Sequence, residues 1–189
     1  MNTKKFIQAK EHAMQKLQQA IESNQVDTTI IPVLTKINRY PNYFTTSSCA
    51  GRIQLMELPQ IGDKKNAKIL GKWHKTITPT ILTNAISTAS KGMIWMLAQS
   101  PIIHITTTNY QDADILLKKA IQAGFKNSGI KPQGKQIHLE ICSTERLDAP
   151  IGSDGALFGS SDYINLLVKI SNNIIIKSIN KIEQLLISL

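Results

Sequence analysis

The sequence predicts an α+β fold built on a mainly antiparallel sheet. Apolar residues recur at helical spacing in separate stretches, and short alternating runs with turn residues at their ends lie between them. No Gly-x-Gly-x-x-Gly follows a strand and opens a helix, so a doubly wound dinucleotide-type fold is disfavoured. A chain of 189 residues can bury one sizeable core without staples. The expectation is a single domain, 1–189.

In chain order, residues 4–23 predict an amphipathic helix, with Phe6, Ala9, Ala13, Leu17, Ala20 and Ile21 on one stripe. Asp27 is placed to cap a second helix with Pro32 near its first turn, ending before Pro41. Tyr43 to Ser48 and Arg52 to Leu58 predict two strands joined as a hairpin at Cys49-Ala50-Gly51, where Gly51 suits a positive φ. A Lys-rich loop follows at 59–68, then a strand at Ile69 to Lys75, then a helix opened by Thr78 or Pro79 and running to about Ser90. Gly92 to Ala98 and Ile102 to Thr108 predict strands broken near Ser100-Pro101. Tyr110 to Ala123 is a helix with the stripe Ala113, Leu116, Leu117, Ala120 and Ile121, ended by Gly124.

Phe125 to Lys131 and Gln136 to Cys142 are strands linked by the turn sequence Pro132-Gln133-Gly134. Leu147 to Ile151 adds a strand, and Ser160 or Ser161 caps a long closing helix with Asp162 in its first turn. The segments Phe44 to Ile53 and Phe125 to Ile130 echo one another: Phe, small polar residues, Gly, then Ile. That suggests two related halves, roughly 27–90 and 91–189.

The net charge is +9, and residues 1–95 carry nearly all of it, with thirteen Lys and Arg against five Asp and Glu. A basic face attracts phosphate and releases counterions, so nucleic acid is the first partner to consider; a solvated Lys-rich surface is the plainer account. Two cysteines, Cys49 and Cys142, exclude a disulfide scaffold or a Cys-rich metal cage. The charged start shows no secretory signal, and the stretch from Gly92 to Ile105 falls short of the ~20 residues of a membrane span. A cytoplasmic protein without membrane contact is expected.

Ser47-Ser48-Cys49-Ala50-Gly51-Arg52 is the densest polar patch, suited to phosphate, carboxylate or a base edge, or to an ordinary hairpin end. In Trp73-His74-Lys75 the indole can stack on a base, the imidazole can take a proton and the ammonium can meet phosphate; a core Trp beside a surface His-Lys pair is the favoured plain reading. His104 alternates with Ile103 and Ile105, as a structural histidine would. His138, Glu140 and Cys142 share one strand face, but a metal there would need further ligands, and none is expected.

At these motifs the chain resembles the tRNA wybutosine-synthesizing protein 3 family. The resemblance rests on Tyr43-Phe-Thr-Thr-Ser-Ser-Cys-Ala-Gly-Arg-Ile53, Lys72-Trp-His-Lys75, Trp95 with Ser100-Pro-Ile-Ile-His-Ile105, Asp112-Ala-Asp-Ile-Leu-Leu117 and Ala123-Gly-Phe-Lys-Asn-Ser-Gly-Ile130. Glu145-Arg-Leu-Asp-Ala-Pro150 and the Gly155 to Tyr163 region extend it, and the compact Trp73-His74 pair resembles the archaeal branch. The resemblance implies two related halves sharing one barrel-like sheet, distinct from the Rossmann methyltransferase fold. It implies an S-adenosylmethionine-dependent tRNA methyltransferase of wybutosine biosynthesis. The acceptor would be the N-4 ring nitrogen of 7-aminocarboxypropyl-demethylwyosine at position 37 of tRNA-Phe.

On that basis His74 and His104 are the candidate proton acceptors, with Ser48 orienting. Glu140, Ser128 and Gly129 would face the donor; Ser47, Arg52, Trp73, Lys75 and Lys126 would hold tRNA, its phosphates or the donor carboxylate. The rivals are a tRNA- or RNA-binding module without chemistry and a structural protein.

Overall fold

The computed structural model describes residues 3–63, 65–133 and 136–189. The elements follow the order α1 (Thr3–Glu22), α2 (Ile31–Arg39), β1 (Tyr43–Cys49), β2 (Arg52–Leu58), β3 (Lys68–Trp73), α3 (Pro79–Ile86), β4 (Met93–Gln99) and β5 (Ile102–Thr107). They continue with α4 (Tyr110–Gln122), β6 (Gly129–Gln133), β7 (Gln136–Cys142), β8 (Arg146–Ser153), β9 (Ala156–Leu157) and α5 (Ser161–Ser188). Lys64 of the expected Lys-rich loop and Gly134 of the expected turn lie outside the described residues.

The α+β class and the antiparallel pairing are as expected, and the fold is not doubly wound. The strands divide between two ladders, β1-β5-β7-β6 and β3-β2-β4-β8-β9. One sheet curls into a half-barrel. The expected hairpin at Cys49-Ala50-Gly51 does not form, since β1 pairs with β5 whereas β2 pairs with β3 and β4. Alternation along a strand sets which face is buried and leaves the partner open. Gly51 has the expected positive φ, 96°, and uses it to redirect the chain from one ladder into the other. Similar crossings join β4 to β5 at Ser100-Pro101, and β7 to β8.

Two compact units result: residues 1–50, 101–144 and 178–189 in the first, and residues 51–100 and 145–177 in the second. In the first, one sheet face contributes Ile103, Ile105, Leu139 and Ile141 to a core with Val33 and Leu34 of α2, Leu116 and Ala120 of α4, and Ile182 and Leu185 of α5. Full burial of each large side chain contributes about 1.5–3 kcal/mol. Phe6 of α1 meets Phe44 of β1 at 5.1 Å between ring centres. Helix α4 is capped at both ends. Asn109 Oδ1 accepts from the Asp112 N–H at 2.8 Å, and Gly124 at φ 97° lets Phe125 N–H reach the Ala120 carbonyl at 2.9 Å.

Asp27 does not cap α2, whose N-cap position is Ile30; its carboxylate accepts from Ala50 N–H at 3.2 Å. The strand expected from Phe125 starts only at Gly129, because Ser128 Oγ donates to the Phe125 carbonyl and closes a turn first.

In the second unit, Ile53 and Leu55 of β2, Ile94 and Met96 of β4 and Ile151 of β8 are buried. Thr78 caps α3, its oxygen accepting from Ile81 N–H at 3.3 Å. Strand β8 accommodates Pro150 at an irregularity opposite Trp95, where a missing ladder donor is tolerated. Among the described residues no helix is long and apolar enough to cross a membrane.

Candidate active site

The face of the first sheet opposite its core is polar. Period-2 alternation puts His104 and Thr106 of β5 there, with Gln136, His138 and Glu140 of β7. Antiparallel register sets His104 opposite Glu140, Thr106 opposite His138, and Gly129 opposite Glu140. The side chains then meet in a chain of hydrogen bonds. Ser47 Oγ lies 3.0 Å from His104 Nδ1, and His104 Nε2 lies 3.2 Å from Glu140 Oε2. Lys131 Nζ binds the other oxygen, Glu140 Oε1. Next to them His138 has Thr106 Oγ1 at 3.1 Å on one nitrogen and Gln136 Oε1 at 3.0 Å on the other.

The electrostatics follow from these contacts. The Lys131 ammonium, aided by His104, holds the Glu140 carboxyl below its usual range, against a smaller opposing effect of burial. Burial, and then the neighbouring His104, push His138 below the ordinary histidine value. The site thus joins an ionised carboxylate, an imidazole and a surface hydroxyl, the parts of a proton acceptor.

The remaining expected residues are placed as follows. Ser48, next to Ser47, has its hydroxyl buried without a hydrogen-bond partner among the described residues. Ser128 uses its hydroxyl within the chain: besides Phe125, it receives Cys142 N–H at 3.1 Å. Gly129 stands beside open space, since a Cβ there would meet nothing within 4 Å. Lys126 is exposed on the turn after α4.

Arg52, Trp73, His74 and Lys75 belong to the second unit. Arg52 Nε donates to Gln99 Oε1 at 2.9 Å across the β2–β4 pair. His74 Nδ1 lies 3.0 Å from the Gly51 carbonyl. Trp73 folds its ring back over Gly71, where a Cβ would stand 2.1 Å from the indole. Lys75 is exposed.

The first unit also holds a groove of about 610 Å³ between α1 and β1, lined among others by His12, Lys16, Leu17, Phe44, Thr46 and Ser47. That volume is within the ordinary range for a small-molecule site of roughly 300–1,000 Å³. Among the described residues its lining holds no acid, and Lys16 and His12 suit an anionic group. Leu17, Val26, Leu34 and Phe44 give the groove an apolar wall for a flat ring, and Lys16 offers a partner for a carboxylate.

No motif in the sequence singles out Lys131, Thr106 or Gln136. The expected turn residues Pro132 and Gln133 belong to β6, and it is the β6–β7 register that sets Lys131 opposite His138 and beside Glu140.

A sequence model of the family described as Methyltransferase TYW3 matches residues 8–189. A Pyrococcus abyssi protein named tRNA(Phe) 7-((3-amino-3-carboxypropyl)-4-demethylwyosine(37)-N(4))-methyltransferase 1 is 46% identical over 171 residues, 90% of this chain and 88% of that protein. A Methanocaldococcus jannaschii methyltransferase named for the same reaction is 39% identical over 173 residues, 89% of this chain and 88% of that protein. Among solved structures, the PH1069 protein from Pyrococcus horikoshii matches with a TM-score of 0.92 at 42% identity, covering 97% of this chain and 95% of that one. A protein from Aeropyrum pernix matches at 0.73 with 26% identity, covering 85% and 95%.

Proposed function

The chain belongs to the TYW3 methyltransferase family, and from that premise we propose that it methylates the N4 ring nitrogen of 7-(3-amino-3-carboxypropyl)-4-demethylwyosine at position 37 of tRNA(Phe), with S-adenosylmethionine as donor. It is a tRNA methyltransferase of wyosine biosynthesis. The donor supplies a methyl group already activated on a sulfonium, so the protein's part is to hold the acceptor in line and to take its proton.

The observation that carries this reading is the Ser47–His104–Glu140 array, which sets the serine of the signature segment against a histidine–carboxylate pair. The ring nitrogen must lose its hydrogen, and His104, backed by Glu140, is the acceptor beside which Ser47 stands. Arg52, Lys75 and Lys126 hold tRNA phosphates, and Trp73 stacks on a base. The basic excess in residues 1–95 suits an anticodon stem-loop.

The test combines purified protein, labelled S-adenosylmethionine and tRNA(Phe) from cells blocked at this step. Nucleoside mass analysis should find one added methyl, fragmenting with the tricyclic ring, and plain guanosine should be refused. Binding of precursor tRNA with no methyl transferred would leave an RNA-binding module instead.

A further inference from the structure

Ser47 stands out of register. Strand β1 pairs Thr45 with Ile105 and Ser48 with Ile103, so Thr46 and Ser47 together oppose His104 alone. A bulge of this kind inserts one extra residue, breaks the regular alternation and re-aims a side chain. Here it brings Ser47 Oγ to His104 Nδ1, while Ser48 resumes the ladder. Resting on the methyltransferase reading above, we propose that Ser47 is a catalytic residue whose hydroxyl takes the proton from N4 of the tricyclic base while passing its own proton to His104.

Both protonation states of the ring have partners in place. With Nε2–H donating to Glu140, the neutral ring leaves Nδ1 to accept from the Ser47 hydroxyl. Once Nδ1 carries the proton, the Ser47 carbonyl oxygen, 2.9 Å away, accepts it. Glu140 then faces an imidazolium, and Lys131 from β6 keeps that carboxylate ionised. His138 on β7 is a further titratable group near the ring; Thr106 and Gln136 engage both its nitrogens, and its charging would oppose that of His104. Ser47 itself is exposed, so its hydroxyl is within reach of a bound base.

The step balances. The N4–H bond breaks as an Oγ–H bond forms, and the original Ser47 O–H bond breaks as Nδ1–H forms. The electron pair left on N4 makes the bond to the methyl carbon, and the carbon–sulfur pair stays on sulfur.

The test measures single-turnover methylation of precursor tRNA by the full chain across pH, for wild type, S47A, S47T, H104N and S47A/H104N. The expected loss for S47A is about 10²–10⁴-fold in the rate at saturating tRNA, the range of one acid–base contribution, with tRNA affinity unchanged. S47T keeps the hydroxyl and stays within about tenfold of wild type, a loss smaller than that whole contribution. The double variant is no slower than the slower single, as for residues acting as a unit. A readout without donor or tRNA is the NMR chemical shift of His104 Nδ1, which reports its hydrogen bond to the Ser47 hydroxyl; it changes in S47A and returns toward wild type in S47T. Wild-type rate in S47A, an Nδ1 shift that S47A leaves unchanged, or single losses that multiply in the double variant each overturn the relay while leaving the methyltransferase reading intact. A wild-type protein that transfers no methyl overturns both.

Discussion

Glu57 on β2 and Glu140 on β7 are both strand carboxylates with a lysine in reach, one in each compact unit. Glu57 is 4% exposed, and its Oε1 accepts the backbone N–H groups of Ser90, at 2.6 Å, and Lys91. Lys68 Nζ stands 3.9 Å from its other oxygen and donates to the Thr88 carbonyl. The two donors to Oε1 are fixed main-chain groups, so Glu57 anchors the loop before β4. Glu140 is half-buried, and its partners, His104 and Lys131, are side chains that titrate. The difference shows how one residue type does two jobs. A carboxylate against backbone amides orders a loop, and a carboxylate against an imidazole sets where a proton can go.

The largest expected effect breaks that contrast at its structural end. Glu57→Ala leaves two backbone donors without their acceptor and should cost about 2–5 kcal/mol of stability in urea unfolding, with activity per folded molecule retained. Next comes Glu140→Gln, which should lower the methylation rate about 10–100-fold while shifting the melting temperature little. If Glu140→Gln unfolds the chain and Glu57→Ala leaves it stable, the two roles are reversed.

The pH dependence of stability sharpens the comparison. His138 has a folded value below its ordinary one, so the unfolded chain binds its proton first. Stability should therefore fall as pH drops through about 6.5, by at most about 1.4 kcal/mol per pH unit for one proton. Glu140, depressed from 4.5, adds stability above that pH that is lost as pH falls through its folded value. Urea unfolding of His138→Asn between pH 7.5 and 5, a window set by the ordinary histidine value of about 6.5, should show the flatter profile; an unchanged slope would remove His138 as its source.

A smaller effect separates the helix caps of the two units. Thr78→Ala and Asn109→Ala should each cost about 0.5–2 kcal/mol. Asn109 should cost more, because its amide nitrogen also binds the Asp112 carboxylate at 2.7 Å. Smallest is Lys75→Glu, expected to weaken tRNA binding a few-fold and to lower the log–log salt slope by about one unit, the signature of one phosphate contact. No change in slope would take Lys75 out of the RNA footprint.

Much of the fold was legible because its signals are local. The stripe from Ala113 to Ile121 with Gly124 behind it places α4 to within a residue, and Gln136 to Cys142 is β7 as expected. Strand alternation also put His138 and Glu140 on one polar face. Less of the site was legible. Ser48 was expected to orient the acceptor, whereas the hydroxyl facing His104 belongs to Ser47. Nothing in Thr45-Thr46-Ser47-Ser48 marks a bulge, since no glycine or proline interrupts the run. In the sequence Lys131 stands only as a strand end, because its meeting with Glu140 depends on the β6–β7 register.

By itself the sequence determined the element types, the buried faces, the basic N-terminal half and the family, all of which are written in residue identity and short-range period. Only the tertiary structure decided that β1 and β2 enter different ladders, that Glu57 holds a loop and Glu140 an imidazole, and that a single extra residue turns Ser47 toward His104. The physical reason is that side-chain period is a property of one strand, whereas partner and register are properties of two. They are set by the packing of residues far apart in the chain, as the 57-residue sequence separation of Ser47 and His104 illustrates.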